Sequence, residues 1–238
     1  MSYVPRLEVP GVFHLVELQV RGGQTGLSEF HSRLLAVAAL HGSIFKHAIQ
    51  LWGYSIASDR VLLVLVPLRP HVIGSALAEA HHRVLSFWGR GYFVCPFAAE
   101  LTWRVLRYVD RTSVRDGGDL LDPQALNSAA EHAGFLTRGL LTAPPERLPD
   151  PMAWRAFVGT PEQELFGQTL EFCLRTGRPF GPVPFVRRVE AACGRHVRSS
   201  CLGWPRRFDG SGRMPSPCSA QSPYANGANL LTQCRSSV

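Results

Sequence analysis

Side chains able to do chemistry are few and scattered along this chain of 238 residues. Six cysteines (Cys95, Cys173, Cys193, Cys201, Cys218 and Cys234) stand at wide, irregular spacings with no Cys-x-x-Cys pair. Reduced thiols are the simplest reading, and neither a zinc site nor a disulfide framework is expected. His81 and His82 are adjacent, and on a helix neighbouring side chains diverge by about 100°, a poor arrangement for a shared ligand. Tyr108 belongs to the apolar helix face of Leu101, Val105, Tyr108 and Val109. On such a face a tyrosine reads first as a core residue with its hydroxyl at the edge. Arginine is more suggestive. Lys46 is the one lysine among 25 basic residues, and Arg175, Arg178, Arg187, Arg188, Arg195 and Arg198 gather in one block, followed by Arg206 and Arg207. Guanidinium forks suit phosphates and base edges. A GC-rich coding sequence produces the same bias without selection for binding, and a solvated basic face is the bland alternative.

The charge distribution sharpens this. Net charge is +7; residues 1–150 hold 14 basic against 13 acidic side chains, and residues 151–238 hold 11 against 5. The excess belongs to the C-terminal third, and nucleic acid is the partner class it favours. With 45% hydrophobic and 18% charged residues the chain has the balance of a globular protein. The longest apolar run, Val61 to Leu68, falls well short of the roughly 18 residues of a membrane span and suits a buried strand. Met1 to Pro10 has no apolar leader-like stretch, so a cytoplasmic location is expected.

The elements that must position these residues alternate. Val12 to Val20 reads as a strand. Ser28 caps a helix running through Phe30, Leu34, Leu35, Val37 and Ala38 to Gly42. Ile44 to Ala57 and Arg60 to Pro67 read as strands joined by a turn at Ser58-Asp59. A helix follows from about His71 to Trp88, then a strand from Tyr92 to Pro96 and a helix from Phe97 to Arg111. The order predicts an α+β fold, a ferredoxin-like antiparallel sheet with helices on one face, plus a small helical C-terminal region. Glycines and prolines make 119–150 a connector between a domain at 1–118 and a basic helical domain at 151–198. Residues 199–238, rich in Ser, Pro, Gly and Asn, read as a disordered tail.

Four stretches carry a family resemblance: Arg6-Leu-Glu-Val-Pro-Gly-Val-Phe-His14, Gly53-Tyr-Ser-Ile-Ala-Ser-Asp-Arg60-Val-Leu62-Leu-Val64, Leu106-Arg-Tyr108-Val-Asp110-Arg-Thr112-Ser-Val-Arg115, and Arg175-Thr-Gly-Arg-Pro-Phe-Gly-Pro-Val-Pro-Phe-Val-Arg-Arg-Val-Glu190. In this order they resemble the REP-associated tyrosine transposases, a branch of the HUH single-strand endonucleases related to IS200-like elements. The resemblance spans about residues 5 to 198.

It implies DNA transposition through single-strand cleavage. In that family a tyrosine at the position of Tyr108 attacks a DNA phosphate and stays joined to the 5′ side of the break. Two histidines at i and i+2 on a strand share a Mg²⁺ or Mn²⁺ ion, and a polar residue four positions after the tyrosine completes the ligand set. Here the histidine positions hold Arg60 and Leu62, and the third holds Thr112. An arginine is a fixed cation and leucine has no donor atom, so neither suits a metal ion. His14, on the first strand beside the expected site, matches a family histidine. The expectation is therefore a transposase-like protein that binds single-stranded or hairpin DNA, uses no metal or other cofactor, and cleaves poorly. Its DNA-binding residues would be Arg175, Arg178, Arg187, Arg188, Arg195 and Arg198, with Tyr108 at the former nucleophile position. Two alternatives stay open: an active nickase with an unrecognised metal site, and a decaying reading frame, which the turn to Cys201-Leu-Gly-Trp204-Pro at the tail would fit.

Overall fold

The run from Val61 to Val66 is buried at every position. A strand turns alternate side chains to opposite faces, so both faces of the sheet that contains it must be covered. The computed structural model describes residues 6–20, 27, 29–84, 88–112, 126–134, 138–142, 151–160, 164–194 and 197. The expected tail from 199 onward, Ser28, Arg195 and Arg198 lie outside the described residues. Four strands, β1 (Phe13–Val20), β2 (Ile49–Ile56), β3 (Arg60–Pro67) and β4 (Trp88–Phe97), form one sheet in the order β2-β3-β1-β4. All three pairings are antiparallel. With α1 (Phe30–Lys46) between β1 and β2 and α2 (Val72–Arg83) between β3 and β4, the chain order is β-α-β-β-α-β, the ferredoxin-like arrangement.

The two faces carry separate cores. On one, Val16, Leu18, Val61, Leu63 and Leu65 pack with Ala36, Leu40 and Ile44 of α1 and Ile73, Leu77 and Ala80 of α2. The one-sided arrangement describes these two helices. On the other face Leu15, Leu62, Val64, Cys95 and Phe97 pack with Val105, Leu106, Tyr108 and Val109 of α3 (Thr102–Asp110). The same core takes in α5 (Pro151–Gly159), α6 (Glu164–Thr176) and α7 (Val183–Cys193) through Trp154, Val158, Phe166, Leu170, Leu174, Phe185 and Val189. The C-terminal helices are thus a layer on the sheet. Phe180 clamps them to it, its N–H donating to the Pro96 carbonyl at 2.8 Å while its own carbonyl accepts from Ala98 at 3.0 Å.

Several boundaries differ from the sequence reading; the third helix begins at Thr102, because Phe97, its expected first residue, is the last of β4. Ile44 and Phe45 belong to α1, because Ile44 continues the buried stripe of Ala36, Val37 and Leu40, and Ala48 at φ 54° makes the break before β2. The second helix stops at Arg83, and Trp88, its expected last residue, opens β4 instead. Within the connector, a one-turn helix α4 (Ala129–His132) packs beneath β2. Among the described residues no helix is long and apolar enough to cross a membrane.

Candidate nucleic-acid interface and the surroundings of Tyr108

Position along a strand decides which residues can face Tyr108. Leu62 pairs with Glu17 on β1 and with Ser55 on β2, and Glu17 pairs on its other side with Phe93 on β4. One row across the sheet therefore reads Ser55, Leu62, Glu17, Phe93, on the face covered by α3 and α6. Arg60 shares that face by alternation with Leu62 and Val64. Leu62 is 1% exposed within the same apolar core as Tyr108. The Arg60 guanidinium is partly exposed, and its Nε lies 3.8 Å from the Asp59 carboxylate in the turn.

Tyr108 is buried, its ring resting where a Cβ on Gly167 would lie 4.0 Å from Cε2. One turn along α6, the Glu171 carboxylate accepts the Tyr108 hydroxyl at 2.7 Å. A further turn along, Arg175 donates to Glu17 at 2.9 Å and places its guanidinium 4.5 Å from the Phe93 ring centroid. α6 thus brings a carboxylate to the phenol and a guanidinium to the sheet. Sequence reasoning passed over Glu17 and Glu171. The signal was present, in the single carboxylate of the otherwise uncharged β1 and in the i, i+4 spacing of Glu171 and Arg175.

A nucleophilic phenol works by losing its proton near a cation that draws off charge from the phosphate. Here the phenol keeps its proton and donates it in a hydrogen bond to a carboxylate, an anion that would repel a phosphate. Thr112 is 3% exposed, and its hydroxyl turns back to the Tyr108 carbonyl at 3.4 Å. His14, expected beside the site, stands on the opposite face with Val16 and Leu18; its Nδ1 donates to the Val12 carbonyl and its Nε2 accepts the Val9 N–H. Burial lowers its pKa to about 4 against the opposing pull of backbone bonds to Val12 and Leu7, so the ring is neutral. Among the described residues no three of His, Cys, Asp and Glu are placed to hold a metal ion. The donor set at Arg60, Leu62 and Thr112 does not fit a divalent ion, since the three offer a cation, an alkyl group and a hydroxyl already turned to backbone.

A polar network lies just beyond. His132 of α4 meets Asp110 through Nδ1 at 2.9 Å and the Trp52 carbonyl through Nε2 at 2.9 Å, and both residues are wholly enclosed. Both ring nitrogens face acceptors, an arrangement that favours the doubly protonated imidazole. Burial is the largest single influence and works against that charge, and the Asp110 carboxylate, the Trp52 carbonyl and Glu131 together outweigh it, raising the pKa. Ser128 donates to Asp110 at 2.6 Å and accepts the Tyr54 N–H at 3.0 Å. Ser128 and His132 were hidden in the connector.

Of the arginines, Arg187 and Arg188 are exposed on α7, and Arg175 and Arg178 flank the end of α6. Cys95 and Cys173 are buried free thiols.

No family model matches the sequence, and no curated protein matches it. Among solved structures the chain is similar to a REP-associated tyrosine transposase bound to a REP hairpin. The TM-score is 0.50 at 12% identity, covering 63% of this chain and 94% of that one. At this identity the likeness is one of fold: the chain carries a transposase-like α+β fold.

Proposed function

We propose that the protein is a transposase-like DNA-binding protein that holds single-stranded or hairpin DNA in the cytoplasm and has lost efficient cleavage. By descent its function is DNA transposition through a tyrosine nucleophile, with residues 1–118 as the catalytic-type domain and 151–198 as the basic domain. The observation that carries the reading is the fold shared with a transposase bound to a DNA hairpin, combined here with a C-terminal third in which basic residues outnumber acidic ones 11 to 5. The loss of cleavage is supported by Leu62 sealed in the apolar core and by the Tyr108 hydroxyl committed to Glu171.

The test uses the full chain with a fluorescent hairpin that has a single-stranded flank. Anisotropy is expected to report binding that weakens with salt, and denaturing gels run after incubation with Mg²⁺ or Mn²⁺ are expected to show no covalent adduct. An adduct absent from Tyr108→Phe would make the chain an active nickase. Failure to bind any DNA would remove the binding reading itself.

A further inference from the structure

An amphipathic helix sends its polar stripe to solvent, and α6 breaks that rule at two positions, Leu165 and Phe172. Its buried stripe is Phe166, Leu170, Cys173 and Leu174. On the opposite side Leu165, Gln168, Phe172 and Arg175 recur at i, i+3, i+7 and i+10, and Phe172 is 43% exposed. The chain then reverses: Gly177 takes φ 64°, a conformation open to glycine, and the Arg178 N–H returns to the Cys173 carbonyl at 2.9 Å. This reversal lays the Arg178 guanidinium 5.4 Å from the Phe172 ring centroid. Three residues before it, Arg175 is anchored by Glu17 and keeps 40% of its side chain in solvent.

An exposed aromatic ring with guanidinium groups beside it presents a π-face and positive charge together. Unpaired nucleotides have the complementary pair, a flat base and an anionic phosphate. We propose that Phe172 is a stacking platform for an unpaired base of single-stranded or hairpin-flanking DNA, with Arg178 and Arg175 contacting the adjoining phosphates. The proposal rests on the DNA-binding reading above and names the place on the surface where unpaired nucleotides sit.

The experiment compares the full-length protein with Phe172→Ala and Phe172→Trp on three probes: a hairpin with a single-stranded flank, the same hairpin without the flank, and a blunt duplex. Phe172 is on the solvent side of its helix, so both variants keep the core intact. Stacking of one base predicts that Phe172→Ala weakens binding to the flanked hairpin roughly 5- to 100-fold, with less than a twofold change on the blunt duplex. Phe172→Trp restores affinity, and the flanked hairpin quenches the fluorescence of the new indole beyond the change in wild type. If wild type binds and Phe172→Ala matches it on every probe, the platform is wrong and the DNA-binding reading stands. If wild type binds none of the three, both fail together.

Discussion

The Tyr108 hydroxyl donates to Glu171, so the residue that resembles a nucleophile is here one end of a helix-to-helix hydrogen bond. Glu171 is exposed and can turn to water when the hydroxyl is removed. Tyr108→Phe should therefore cost about 0.5–1.5 kcal/mol in urea unfolding, the size of a single side-chain hydrogen bond, and leave hairpin affinity within twofold of wild type. A loss of DNA binding without a loss of stability would give the hydroxyl a role at the DNA. His14 sets a second test, through pH. Its folded pKa of about 4 lies below the 6.5 of an unfolded histidine, so between these values the unfolded chain binds the extra proton. Stability from this residue is full above pH 6.5 and falls on acidification, by about 3 kcal/mol at pH 4. His14→Gln, which cannot titrate, should flatten the pH 4 to 6.5 limb of the melting profile. An unchanged limb would mean that other groups drive the acid loss.

Among the described α-helices α4 is the shortest, and the enclosed His132–Asp110 pair holds it. It ties the end of α3 to β2 through Asp110, His132 and Ser128, at a point where Gly53 allows close approach. A Cβ on Gly53 would lie 2.5 Å from Leu106 Cδ2 and 3.3 Å from Ser128 Oγ. His132→Ala leaves the Asp110 carboxylate enclosed without its imidazolium, so unfolding free energy should drop by roughly 3–5 kcal/mol. The pH dependence runs opposite to that of His14. The folded pKa of His132 is raised, so its contribution is full below about pH 6.5 and is lost as pH rises through the elevated value. Thermal melts of wild type and variant should converge at alkaline pH; a constant gap would assign the cost to packing alone. None of this was legible in the sequence, because a single helical turn has no periodicity and its anchors are polar residues read as loop. β3 and α7 were legible for the converse reason. Five consecutive buried aliphatics in Val61–Leu65 admit only a strand covered on both faces, and Val183–Cys193 keeps its 3.6-residue spacing after a proline and before Gly194 at φ 63°. Ile44 misled because β-branched residues favour strands locally, while burial against Leu40 one turn back holds it in α1.

At the scale of the whole molecule, the basic third of the sequence also closes the core over the sheet, and this governs how binding can be tested. Removing residues 151–238 would strip Trp154, Phe166, Leu170 and Phe185 from a core that holds Leu62, Phe97 and Tyr108. A truncated chain would then lose its fold along with its charge. Point replacements separate the two. Arg187 and Arg188 are exposed on α7, whose buried contacts are made by Phe185 and Val189. Arg187→Ala with Arg188→Ala should therefore change stability by less than about 0.5 kcal/mol. If six arginines of the block each meet a phosphate, the log–log salt slope of the full chain would be roughly −4 to −5. Each lost phosphate contact removes about 0.7 to 0.9 from that slope, so the double variant should be shallower by about 1.4 to 1.8 on hairpin DNA. Anisotropy titrations between 50 and 300 mM salt, values chosen to span roughly one Debye-length halving, measure it directly. A slope equal to wild type, with the fold intact, would place the DNA elsewhere and leave this end of α7 as a solvated basic face. Arg175 is expected to behave differently, because its guanidinium also satisfies Glu17, whose side chain is 3% exposed. Arg175→Ala should lose stability as well as affinity, since it leaves a carboxylate enclosed at the centre of the sheet without its partner.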